Sequence, residues 1–325
     1  MEQVCVIGDS VADLVFELPT KFLHRLTGSG AISFPFGSKL AVNGYQLCSG
    51  GSGANVAVGL GRLGATVTLL TGISEDHFGV YLATALEKES LSLKAKRFTE
   101  PSALSVILRV SAERTILTAH PANYFYLREP IPEEGWLHIG PLPENEGAFY
   151  QRLIAHLVKT RQKYSLNPSL ETIESRDRYY QTLLRSAAVL FVNLEEGRLL
   201  ARLPVNSEIK DIMTALHRLG AKVICLTAGE KGAYVSDQIT LYYARALADT
   251  HTRVDATGAG DAFASGFLAS FVGSSLTDAD RLGDALKYAI LNSAAVVGAV
   301  GGQKGLLDRT ALVRDLKAVT LKVLV

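Results

Sequence analysis

The sequence predicts an α/β fold in which a mainly parallel β-sheet is covered on both faces by helices and carries a second, smaller β-sheet. Three observations predict it. Short β-branched or aliphatic runs recur along the chain and alternate with stretches of helical spacing. Two regions break that rhythm and read as additional strands. No internal repeat, low-complexity tract or Pro/Ser-rich linker intervenes, so the additional strands elaborate one domain and do not form a tethered module.

The strand-like runs are residues 4–7, 66–70, 136–139, 188–192 and 222–227. Strands alternating with helices favour parallel pairing, because each crossover lays a helix on a face of the sheet. The helices follow from i, i+3/i+4 spacing, as in Leu282, Ala285, Leu286, Ala289, Ile290 and Val297, or Ile212, Ala215, Leu216 and Leu219. Gly64 and Gly220 stand where a glycine ends a helix. The two irregular regions are 14–48 and 104–120; in the second, 105–110 and 114–118 read as a hairpin about Ser111, Ala112 and Glu113. A small sheet built from them is well placed to act as a lid.

Composition excludes several classes. The 325 residues are 48% apolar with 33 Lys+Arg against 32 Asp+Glu, net +1. That is ample for a core and leaves no basic footprint for nucleic acid or an anionic membrane. The longest apolar runs, 187–192 and 294–300, fall far short of the ~20 residues that cross a bilayer. The N-terminus lacks a basic segment before its first strand, so a cytoplasmic chain is expected. Cys5, Cys48 and Cys225 form no C-x-x-C and read as reduced thiols, and the seven histidines show no ligand-like pairing.

Two glycine-rich elements carry chemistry. The first runs Ser49-Gly50-Gly51-Ser52-Gly53-Ala54-Asn55 into an amphipathic helix. Either it is a tight structural turn, or Gly50 and Gly51 let a ligand approach the backbone while Asn55 reaches the same ligand. The literal G-x-G-x-x-G at 59–64 falls at the end of that helix and not after a strand, which excludes a dinucleotide fingerprint. The second element is Asp255-Ala256-Thr257-Gly258-Ala259-Gly260-Asp261. Gly258, Ala259 and Gly260 lead into a helix running to about Phe271, so backbone N–H groups and the positive helix end converge on an anion. Asp261, in the first turn, is placed either to take a proton from an attacking hydroxyl or simply to complement the helix terminus. No Walker lysine motif is present.

With both elements in this order, the chain resembles the ribokinase, or PfkB, family of carbohydrate kinases. The matching stations are 8–13 after the first strand, Gly50 to Asn55, Asn193-Leu194-Glu195-Glu196, Thr227 to Gly232, and Asp255 to Asp261. The resemblance implies one ribokinase-like three-layer α/β/α domain over residues 1–325, with a lid from inserted strands within about 14–48 and 104–120. It implies transfer of the γ-phosphoryl of Mg-ATP to a carbohydrate hydroxyl, often a hydroxymethyl. Asp261 is then the base, and the backbone of Gly258, Ala259, Gly260 and Asp261 is the anion hole. Asp13, Gly50, Gly51 and Asn55 match positions that orient the acceptor. Asn193 and Glu196 match an N-x-x-E that positions Mg²⁺ through water, and Thr227, Gly229, Gly232 and Asn292 match the nucleotide site. Asp255 and Thr257 match ligands of a monovalent cation, so K⁺ dependence is implied, as is a homodimer paired through the lid.

Two departures bear on the acceptor. Val11 stands where an asparagine is common in ribokinase-like sequences, and Ser52 where a lysine follows the glycine pair. Both losses argue against ribose as the specific acceptor, and Ser52 also argues against a phosphosugar. Arg109 or Arg114 in the lid would supply a cation for a phosphosugar or an acidic sugar. The competing readings are a nucleoside kinase of the same family and a catalytically silent sugar- or nucleotide-binding regulator.

Overall fold

The computed structural model describes residues 3–26, 29–110, 113–120, 129–142, 147–247, 254–273 and 278–324. The strands are β1 Gln3–Ile7, β2 Val11–Glu17, β3 Leu23–Leu26, β4 Ser29–Ile32, β5 Gly44–Gly50, β6 Thr66–Ser74, β7 Ser92–Phe98, β8 Leu104–Val110, β9 Glu113–Ala119, β10 Trp136–Ile139, β11 Tyr164–Leu166, β12 Val189–Asn193, β13 Val223–Thr227, β14 Ala233–Ser236, β15 Leu241–Ala244 and β16 Leu321–Val323. The helices are α1 Ser52–Arg62, α2 His77–Leu86, α3 Gly147–Thr160, α4 Leu170–Ser175, α5 Arg178–Ser186, α6 Leu194–Ala201, α7 Ile209–Arg218, α8 Ala259–Phe271, α9 Asp278–Val296 and α10 Arg309–Asp315.

Strand alternation divides the interior into two cores. Val4 and Val6 of β1, Val189 and Phe191 of β12 and Val223 and Cys225 of β13 join the core under α1, α8 and α9. The intervening Cys5 and Ile7, Leu190 and Val192, and Ile224 and Leu226 join the core under α3, α5 and α7. A sheet buried on both faces between helix layers is a three-layer α/β/α domain. Its ten strands lie in the order β16-β15-β14-β13-β12-β11-β10-β1-β6-β7. From β7 to β13 all pairs are parallel, and β14, β15 and β16 continue the sheet antiparallel. The antiparallel edge begins because only residues 228–232 separate β13 from β14, too few for a crossover helix.

The second sheet has the order β5-β2-β8-β9. The expected hairpin is β8–β9; Ser111 and Ala112 at its tip lie outside the described residues. The first irregular region is wider than its sequence suggests: pairing with β5 runs from Val11↔Gly50 to Glu17↔Gly44, so Asp13 lies on a strand. β3 and β4 form a separate hairpin. By alternation, Asp13, Ser105, Arg109 and Arg114 share one face of the second sheet, and Leu14, Phe16, Tyr45, Leu47 and Leu117 share the other. Among the described residues, no helix is long and apolar enough to cross a membrane.

Candidate active site

Chain order reverses at β1: the chain moves to β6 and β7 on one side, then returns to β10 on the other. In open α/β sheets such a switch point, at the carboxyl ends of the strands, is where ligands bind. Here Gly8 and Asp9 follow β1, and the start of α1 packs onto them. Gly53 N–H donates to Asp9 Oδ1 at 3.0 Å and Ala54 N–H to the Asp9 carbonyl at 2.9 Å. Further along the same edge, Asn193 and Thr227 end β12 and β13 as direct register partners.

The first turn of α8 meets α1 across this edge. Gly258 caps α8 at φ +76°, and a Cβ there would lie 2.5 Å from the Gly302 Cα, so both conformation and space demand glycine. Ala262 N–H bonds the Gly258 carbonyl at 2.8 Å. The N–H groups of Gly260 and Asp261, in the first turn, have no carbonyl of their own helix to bond. Space over Gly260 is open. A turn of this build can accept an anion through its backbone alone.

Asp261 stands in that turn with both oxygens held. Ser52 Oγ donates to Oδ1 at 2.6 Å and Asn55 Nδ2 donates to Oδ2 at 2.9 Å. Loss of surrounding water pushes its carboxyl up to about 6, helped by the Asp9 carboxylate, against the hydrogen bonds from Ser52 and Asn55. Such a group is ionised at neutral pH yet basic enough to receive a proton. Asn55 is 2% exposed, and its Oδ1 has no hydrogen-bond partner.

Asp13 faces the same space from β2, its carboxylate packed on Gly50. Burial pushes it up to about 7; the Ser105 hydrogen bond opposes this, and the carboxylates of Asp9, Asp255 and Asp261 add to it. Gly51 packs on the backbone of Asp9, Ser10 and Val11, joining the second sheet to α1. The structure therefore brings Asp13, Gly50, Gly51, Asn55 and Asp261 together, with Gly258, Ala259 and Gly260 beside them.

At the other end of the edge, Asn193 and Glu196 form a capping box. Asn193 Oδ1 accepts from Glu196 N–H at 2.9 Å, and Glu196 Oε2 accepts from Asn193 N–H at 2.8 Å. Burial raises the Glu196 carboxyl. As a hard oxygen donor beside open edge, Glu196 fits an indirect Mg²⁺ site through water. Gly229 is exposed, and Gly232 packs against the end of β15.

Asn292, Asp255 and Thr257 all have partners within the protein. Asn292 is fully buried; its Nδ2 donates to the Ala262 carbonyl and Ser265 Oγ, and its Oδ1 accepts from Leu307 N–H. Its amide ties α9 to α8 and offers nothing to a purine. Asp255 and Thr257, which the resemblance matches to monovalent-cation ligands, stand beside a positive side chain from the second sheet. Thr257 spends both N–H and Oγ–H on Asp255 Oδ1, Gly301 N–H takes Oδ2, and the Arg114 guanidinium already stands 3.9 Å from Oδ1. Sequence reasoning missed Ser52 as a partner of Asp261; its one signal was a short hydroxyl at the first position of α1, where it reads as a lost lysine.

The pfkB family carbohydrate kinase model matches residues 1–309. A fructokinase from Salmonella typhimurium is 26% identical over 321 residues, covering 94% of this chain and 96% of that protein. A cytidine kinase from Thermococcus kodakarensis is 34% identical over 161 residues, 47% of this chain and 55% of that one. A double-mutant fructokinase from Vibrio cholerae, solved with fructose, ADP and potassium ion, superposes with a TM-score of 0.74 at 20% identity, covering 97% of this chain and 98% of that one. The chain, with its ribokinase-type fold, thus belongs to the pfkB family of carbohydrate kinases.

Proposed function

We propose that the protein transfers the γ-phosphoryl of Mg-ATP to a hydroxyl of a sugar, with Asp261 as base. The observation that carries this reading is Asp261 in the first turn of α8, held by Ser52 and Asn55 beside open first-turn N–H groups. An acceptor hydroxyl hydrogen-bonded to Asp261 loses its proton to the carboxylate as its oxygen attacks, and charge on the transferred group falls on the turn at Gly258, Ala259, Gly260 and Asp261. Asp13 and the partnerless Asn55 Oδ1 accept from other hydroxyls of the acceptor, close against Gly50 and Gly51. Mg²⁺ bound to ATP neutralises phosphate charge; Glu196, with Asn193, would hold it through water. Thr227, Gly229 and Gly232 line the nucleotide.

The second sheet, bearing Asp13 on its near face, serves as the lid. Its far face leaves Tyr45 71% and Leu117 57% exposed, an apolar surface suited to a second copy of this chain, which light scattering tests. A nucleoside acceptor is the second reading, favoured by the 34% identity to a cytidine kinase. ADP release measured over fructose, ribose, sugar acids, phosphosugars and nucleosides separates the two. ADP release with none of them, despite Mg-ATP binding, contradicts both and leaves the regulator reading.

A further inference from the structure

Asp255 sits three residues before the anion turn with its side chain wholly out of solvent. A carboxylate so placed is stabilised by a positive partner as well as by hydrogen bonds. Its three donors, Thr257 N–H, Thr257 Oγ–H and Gly301 N–H, are neutral. The positive group comes from the second sheet: Arg114 of β9 brings its Nε to 3.9 Å from Asp255 Oδ1, and that Nε is buried with no hydrogen-bond partner.

The placement of Arg114 is costly by itself, because its direct cross-strand neighbour on β8 is Arg109. Like charges facing each other on one sheet repel unless each is compensated. Arg109 is compensated by ion pairing with Glu17, and its Nη1 donates to the Val254 carbonyl at 2.9 Å. Both arginines therefore reach consecutive residues, 254 and 255, of the segment that opens the anion turn. The α9 end holds the same two residues from the other side, Val297 carbonyl accepting from both N–H groups.

We infer that Arg109 and Arg114 are positioning residues that fasten the second sheet to the anion turn, and that Arg114 supplies the positive charge there which a bound monovalent cation would otherwise supply. The protein should then work without added K⁺. The inference rests on the kinase reading for its kinetic test, but not for its stability test.

The experiment compares wild type, Arg114→Met and Arg114→Lys in potassium chloride and in N-methylglucamine chloride at equal ionic strength. Melting temperature is read in both salts, and phosphoryl transfer is read with Mg-ATP and fructose, ribose or adenosine. Wild type should melt within about 2 °C in the two salts and transfer at rates within about twofold. Arg114→Met should melt lower by several degrees, lose about tenfold in kcat with a smaller change in acceptor KM, and regain part of both losses in potassium chloride only. Arg114→Lys should keep the wild-type indifference to K⁺, which a merely steric role for Arg114 would not require. A wild type that needs K⁺, or an Arg114→Met protein identical to wild type in both salts, overturns the inference. If Arg114→Met does not fold, a K⁺ requirement in Arg114→Lys overturns it and K⁺ indifference supports it. Failure of wild type to use any acceptor would count against the kinase reading, while the melting comparison would still decide the role of Arg114.

Discussion

The turn at the start of α8 and the second sheet face the same space with opposite materials. At α8 the working groups are backbone N–H groups, fixed by glycine packing such as Gly258 on Gly302. On the second sheet they are charged side chains, buried Asp13 from β2 and the partly exposed Arg109 and Arg114 from β8 and β9, each dependent on a partner far away in the chain. A backbone anion site carries no formal charge of its own and draws on a positive group beside it, here Arg114 at Asp255. A site of buried charges is specific because each unpaired group costs free energy. In the proposed function, phosphoryl transfer falls to the turn and acceptor choice to Asp13, while Arg109 and Arg114 fasten the sheet to the turn.

The largest expected effect lies on the turn. Asp261→Asn should lower kcat by about 10³-fold while Mg-ATP binding and melting temperature stay near wild type, as calorimetry and stopped-assay kinetics would show. Gly258→Ala puts a side chain at φ +76° against Gly302; transfer should fall by about 10²-fold with ~1–3 kcal/mol lost from stability in urea titration.

On the sheet side the sign of one effect reverses. Asp13 holds its proton up to about pH 7 when folded but only to about its ordinary value of 3.8 when unfolded, so the unfolded chain binds fewer protons across that window. Stability of the ligand-free protein must then fall as pH rises from about 4 to 7. Asp13→Asn should remove that slope and make the protein more stable at pH 8, on the order of 2–4 kcal/mol, while weakening acceptor binding. Urea titrations at pH 5 and pH 8 would show it. A variant that gains no stability at pH 8 would mean that Asp13 is better solvated than its 5% exposure implies.

Smaller effects sharpen the boundary between the two regions. Ser52→Ala removes the 2.6 Å hydrogen bond that favours ionised Asp261, so the acid limb of kcat/KM should move to higher pH, with about tenfold loss at pH 6 and little at pH 8. Ser52→Thr should restore the profile. Asn193→Ala breaks the capping box of α6 and should cost ~1 kcal/mol of stability, with only a modest rise in KM for Mg-ATP.

What was legible in the sequence follows the same division. The anion turn is continuous in the chain, so Gly258 to Asp261 and the helix to Phe271 could be read directly. Five of the seven parallel strands of the ten-stranded sheet showed as short apolar runs, and the β8–β9 hairpin because its two halves are adjacent; β7, broken by Lys94, Lys96 and Arg97, and the three-residue β11 did not. The antiparallel edge from β14 to β16 was not read, since its strands are short and one lies at the far end of the chain. Ser52 on Asp261 and Arg114 on Asp255 join residues more than a hundred positions apart, and no local pattern announces such pairs. Asn292 matches the nucleotide site through the resemblance alone, and no local pattern shows that its amide bonds Ala262, Ser265 and Leu307.

The most direct test of Asp261 as the base is the pH dependence of a single turnover from Mg-ATP to the best acceptor. The rate should be level above about pH 7 and fall about tenfold per pH unit below about 6, where Asp261 takes up its proton. A rate that stays level from pH 7 down to pH 5 would contradict it.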